Sequence, residues 1–114
     1  MITLPFPPSA NRYWRNVGGV VMLSKEARVY RKLIASSLLV QGFRKEDSCK
    51  GSIWIRLAFY RPRKIGDLDN MLKQPLDAMR GILYQDDGQI CEIHAKRFDD
   101  KERPRVEVDF GAFN

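Results

Sequence analysis

The chain has one histidine, His94, and two cysteines, Cys49 and Cys91, among 114 residues. A thiolate zinc site needs ligands at short spacing, and these cysteines lie far apart with no CxxC pair and no histidine beside them. Both are expected to be ordinary reduced residues. His94 falls inside a predicted strand and reads as a structural or surface side chain rather than a catalyst. No apolar run approaches the roughly 20 residues of a membrane span. The opening segment MITLPFPPSANRYWR has neither the basic start nor the long apolar stretch of a secretory signal. A cytoplasmic protein with no membrane partner is therefore expected. Internal repeats, low-complexity tracts and long linkers are also missing, so one domain spanning residues 1–114 is expected.

What is present is a basic, foldable composition. Hydrophobic residues make up 44% of the chain, enough to argue against disorder. Lys and Arg outnumber Asp and Glu by 20 to 14, giving a formal charge of +6 and a pI near 9.6. Such a balance favours contact with a polyanion such as nucleic acid. Within this basic background several acids are concentrated in one short stretch, which suggests a local purpose.

Hydrophobic periodicity predicts the elements. Ile2–Phe6 alternates as a strand and is stopped by Pro7 and Pro8. Gly18-Gly19, flanked by Val17 and Val20-Val21, predicts a tight turn or short hairpin over Asn16–Leu23. Ser24–Gln41 reads as an amphipathic helix, with Ser24 as N-cap, Glu26 in the first turn and Gly42 as the stop. Val29, Leu33, Val40, Tyr30, Ile34 and Leu38 are its apolar positions. In Ser52–Tyr60, Ile53, Ile55, Leu57 and Phe59 share one face, while Trp54, Arg56 and Tyr60 share the other. DLDNMLKQPLDAMRG reads as a loop running into a helix, capped by Asp69 or Asn70 and ended by Gly81. Pro75 would cost that helix a hydrogen bond, so the helix should begin near Lys73 or kink there. Gln89–Phe98 and Arg105–Phe110 read as strands joined by a charged turn at 99–104. The expected fold class is α+β, a mixed sheet with two main helices packed on one face.

The carboxylates carry the functional signal. In an extended segment residues i and i+2 point to the same side, so Asp67 and Asp69 would aim at one point. The following helix would return the chain, bringing Asp86-Asp87 back beside them. Clustered carboxylates repel unless a cation lies between them, and Mg²⁺ prefers oxygen ligands with waters and substrate phosphate. Such a site suits phosphodiester hydrolysis. Lys73, four residues after Asp69, would share its helical face and face a scissile phosphate. Spacing alone leaves a second reading open, in which Asp69 or Asn70 caps a helix and Asp86-Asp87-Gly88 forms a turn. Asp77 reads as helix surface or as support for a neighbouring base.

The stretch GDLDNMLKQPLDAMRGILYQDDGQI resembles the signature of the RusA family of Holliday junction resolvases of phages and prophages. LPFPPSANRYWR resembles that family's opening segment, in the same order along the chain. The resemblance covers essentially the whole chain. It implies a RusA-like fold and a Mg²⁺-dependent endonuclease, with Mn²⁺ as a substitute. It also implies a homodimer that cuts four-way DNA junctions in paired nicks during recombination and repair. By motif, it assigns Asp67, Asp69 and Asp87 as metal ligands and Lys73 as the functional lysine. The departure from the pattern is Gln74-Pro75 directly after that lysine. A two-fold dimer has its own rationale, since it offers two matched sites to a junction with two symmetry-related strands.

Basic residues flank the acids. Arg61, Arg63 and Lys64 precede Asp67, and Arg12 and Arg15 lie in the N-terminal segment. With Lys73 these are the expected DNA contacts. Lys96-Arg97 follows the acid pair, and Tyr13 and Trp14 read either as stacking groups for unpaired bases or as core. Two other readings fit the same charges, a non-catalytic module for branched DNA and a nuclease acting on flaps.

Overall fold

The computed structural model describes residues 1–9 and 14–114. The fold is α+β, as expected. Strand β1 (Ile2–Leu4) leads into the hairpin of β2 (Trp14–Val17) and β3 (Val20–Leu23), followed by helix α1 (Lys25–Val40). Strand β4 (Ile53–Arg61), helix α2 (Leu68–Met79), strand β5 (Ile90–Asp99) and strand β6 (Arg105–Ala112) complete it. The main sheet has four strands in the order β1-β6-β4-β5. The β4 and β5 strands run parallel and the other pairs antiparallel. The segment β4-α2-β5 is thus a crossover unit, the connection a parallel pair requires.

Alternation decides which face is covered. Ile53, Ile55, Leu57 and Phe59 of β4 are buried with Val106 and Val108 of β6 and Ile2 and Leu4 of β1. Tyr30, Ile34 and Leu38 of α1 and Met71, Ala78 and Met79 of α2 complete this core, so both helices pack on one face. The other face is open. There Arg56 lies over the Trp54 ring, Tyr60 stacks on Phe98 with centroids 5.1 Å apart, and Arg105 covers the Tyr60 ring at 3.8 Å. His94 sits on the same face, beside Glu92 at 3.4 Å.

Several local expectations hold and several are corrected. The Ser24 hydroxyl accepts from the Ala27 N–H at 3.1 Å, capping α1. Gly18 and Gly19 both take positive φ, 57° and 83°, as a two-residue hairpin turn of this kind demands. Strand β1 ends at Leu4 rather than Phe6. Val29, Leu33 and Val40 are exposed, so only part of the apolar pattern of α1 meets the core. Helix α2 starts at Leu68, with Asp67 rather than Asp69 or Asn70 at its N-cap, and runs through Pro75. Pro75 is buried, so its ring serves the core face while the helix forgoes one hydrogen bond.

Candidate active site

A sharp bend ahead of α2 positions Asp67. Gly66 has φ +103°, a conformation that favours glycine, and a Cβ there would sit 3.1 Å from Met71 Cε, which would have to shift slightly. Its carbonyl accepts from Arg61 Nη1 at 3.0 Å, and Arg61 Nε donates to Asp99 at 2.7 Å. Arg61 is 8% exposed. Its guanidinium is used inside the protein to fix the Gly66 bend, so little of it faces outward toward the DNA contact expected of it. The same carbonyl receives Arg97 Nη1 at 3.4 Å.

The bend opens into a cleft lined by Phe6, Pro7, Pro8 and Ser9 on one side and by Arg63, Gly66, Asp67 and Asn70 on the other. Gln74 links the two sides. Its buried Nε2 donates to the Pro8 carbonyl at 2.8 Å, tying the N-terminal segment to α2, while its buried Oε1 has no partner among the described residues. Sequence reasoning passed over Gln74 as a departure and read Asn70 only as a cap. The first pattern, DLDN, already contained Asn70; nothing local announced Gln74, whose partner lies 66 residues away.

The expected acids are laid out along α2 rather than gathered at one point. Asp67 is the N-cap, without a side-chain capping bond, and Asp69 sits in the first turn, where carboxylates are favoured by the helix dipole. The extended geometry assumed for the pair therefore holds at Asp67 only. Lys73 follows one turn later and pairs with Asp77 at 3.3 Å. Past the C-terminal end, Asp87 pairs with Arg80 at 3.5 Å. Asp69, Lys73 and Asp77 share a stripe by helical spacing, and Arg80 follows just past the helix end. Helix α2 has 12 residues, so its ends are about 18 Å apart. Because β4 and β5 are parallel and pair along their length, the crossover must carry the chain from one end of the sheet to the other before β5 starts. This is why Asp86-Asp87 does not come back beside Asp67 and Asp69.

Among the described residues, no group of three or more His, Cys, Asp or Glu lies close enough to hold a metal ion. The donor chemistry suits a hard divalent cation, but one chain does not converge it. Asp86 has a local task, capping the 3-10 turn at Asp87–Gln89 in a reciprocal box with Gln89. Arg63 and Lys64 are exposed on the loop before Asp67, and Arg15 is exposed on the hairpin. Arg12 and Tyr13 lie outside the described residues. Tyr84 is buried under this end of α2 and donates to the Leu76 carbonyl, with its phenol pushed well above the usual range by burial and then by Asp87.

A family model described as Endodeoxyribonuclease RusA matches residues 5–110. The chain is 31% identical over 109 residues to the Crossover junction endodeoxyribonuclease RusA of Enterobacteria phage 82, covering 94% of this chain and 89% of the relative. It is 30% identical over 109 residues to the protein of that name from Escherichia coli K12, with the same coverage, and 31% identical over 96 residues to that of Enterobacteria phage HK97. A match that runs from the Phe6–Ser9 wall through the Asp67 cleft to β6 makes the chain a member of the RusA endodeoxyribonuclease family.

Proposed function

We propose that this protein resolves four-way DNA junctions by hydrolysing phosphodiester bonds in symmetric pairs of nicks during recombination and repair. It works as a two-fold homodimer with Mg²⁺, or Mn²⁺ in its place, and acts on DNA inside the cell. The family match over residues 5–110, which includes every acid of the α2 segment, carries this reading. The basic charge of +6 and the exposed Arg63 and Lys64 beside Asp67 support it.

The spread of acids along α2 gives the dimer a chemical role. A partner lying antiparallel across α2 would set Asp67 and Asp69 of one copy beside Asp87 of the other. Two such sites follow from the two-fold axis. Exposed Ile93, on the helix side of edge strand β5, would lie on the same surface. Asp67, Asp69 and Asp87 would together hold the metal, which polarises a phosphoryl oxygen and lowers the pKa of a bound water. Lys73 would leave Asp77 and face the scissile phosphate. Arg63 and Lys64 would hold the flanking backbone, with Arg12 and Arg15 reaching further along it.

The test mixes two dead enzymes. Asp69→Asn and Asp87→Asn should each abolish cleavage of a synthetic junction while leaving junction binding largely intact. Mixed and allowed to exchange subunits, they should regain unpaired nicking at about a quarter of the wild-type site concentration, since half the dimers are hybrids with one intact site of two. A mixture that stays inactive overturns the shared site but leaves the resolvase reading standing. Equal cutting of linear duplex and junction by the wild type would sink that reading itself.

A further inference from the structure

Helix α1 carries a basic groove that the expected DNA contacts do not include. It is lined by Leu23, Lys25, Arg28, Val29, Arg31 and Lys32, and among the described residues every charged one in that lining is a cation. Lys25, Arg28 and Lys32 are exposed. Their spacing puts them on one stripe, opposite Ala27, Tyr30, Ile34 and Leu38, which are buried. The stripe is therefore held outward by the packing of α1 itself.

The groove is continuous with the Asp67 cleft. A second shallow groove, which holds Phe6, Pro7, Pro8, Glu26 and Tyr30, shares Lys25 and Val29 with the basic one. It shares Phe6, Pro7 and Pro8 with the cleft. One surface thus runs from Asp67 and Arg63, over a saddle of Phe6, Pro7 and Pro8, to the cations of α1. Glu26 is the acid along the saddle. Lys25 and Lys32 are separated by about 10 Å of helix. A DNA strand presents roughly three phosphates over that length, matching three cations.

We propose that the α1 groove is a second phosphate-backbone site, which holds a junction arm as it leaves the cleavage site. This rests on the reading of the chain as a junction endonuclease. The contact is with backbone and carries no base readout, since the stripe offers charge without a platform for base edges. It lengthens the footprint on one arm and so favours branched DNA whose arm lies along the saddle.

The test compares two triple variants that lose equal charge. K25Q/R28Q/K32Q removes the stripe; K45Q/K50Q/K101Q removes three exposed lysines outside the track. Junction binding is measured without divalent metal over a salt series, after circular dichroism confirms that both variants fold. The stripe variant should bind more weakly, with the slope of log affinity against log salt reduced by about 2 to 3. The control should keep the wild-type slope and cleavage. An unchanged slope in the stripe variant, or an equal loss in the control, overturns the groove while junction binding by the wild type stands. A wild-type protein that binds no DNA overturns the junction reading and the groove with it.

Discussion

Arg61 shows what a single residue does when it turns inward. In sequence it stands among basic neighbours and reads as one more phosphate contact. In the fold it ends β4, and its guanidinium joins Asp99 on β5 to the Gly66 carbonyl. The hydrogen bond from Arg61 holds the Asp99 carboxyl below its ordinary value of 3.8, with the charges of Arg61, Lys64 and Arg97 acting the same way. Asp100 is lowered too, first by the Arg103 backbone N–H and then by Arg105. A carboxyl whose pKa is depressed on folding contributes stability that is present above its unfolded value and lost as pH falls through the folded one. Melting temperature should therefore begin to fall below about pH 4, and the fall should be smaller in Asp99→Asn. Parallel acid limbs for the two proteins would show that the Arg61 link contributes nothing.

At the scale of the element, α2 combines two demands that conflict locally. Its core face needs Met71, Pro75, Ala78 and Met79 buried, and its outer face carries the charged stripe. Pro75 meets the first demand at the expense of helical hydrogen bonding. Pro75→Ala restores the bond and the better propensity, worth up to about 3 kcal/mol, and loses about 1 to 2 kcal/mol of buried hydrocarbon. The expected result is a net gain of about 1 kcal/mol, seen as a melting temperature several degrees higher. A lower melting temperature would mean that the ring's packing outweighs the missing bond.

The same helix shows where sequence reading works and where it stops. The alternation of Ile53, Ile55, Leu57 and Phe59 and the Ser24 cap were legible because each depends on neighbours within a turn or a strand. That Asp67, Asp69 and Lys73 lie at the start of one helix was legible for the same reason. The position of Asp87 was not, because it depends on β4 and β5 being parallel, a property of pairing between distant residues. The internal bond of Arg61 was hidden in the same way, since Asp99 lies 38 residues on. The exposure of Val29 and Leu33 was hidden because a helical apolar pattern does not say how wide a stripe the core will accept.

At the scale of the whole molecule, the edge of the sheet bears on assembly. Among the described residues β5 pairs with β4 alone, leaving a ten-residue edge. Charged Glu92, Lys96 and Arg97 along it discourage indiscriminate strand pairing. Ile93, 45% exposed on the helix side, is the apolar gap in that protection. For a dimer formed across α2 and this edge, Ile93→Glu should yield a folded monomer in sedimentation and lose junction cleavage. A variant that remains dimeric would place the interface elsewhere.

The first and last strands are partners. Ile2 lies opposite Val108, and the amino terminus is 4.0 Å from Asp109. During synthesis, β1 leaves the ribosome about a hundred residues before the strand it needs. Until β6 follows, Ile2 and Leu4 have no strand to bond, and β4 lacks its antiparallel neighbour. A chain cut short before Arg105 is thus left with an open sheet and bare apolar side chains, a target for proteolysis. The topology thus makes the whole sheet wait on its last strand: a product terminated before Arg105 lacks the pairing that joins β1 to β4.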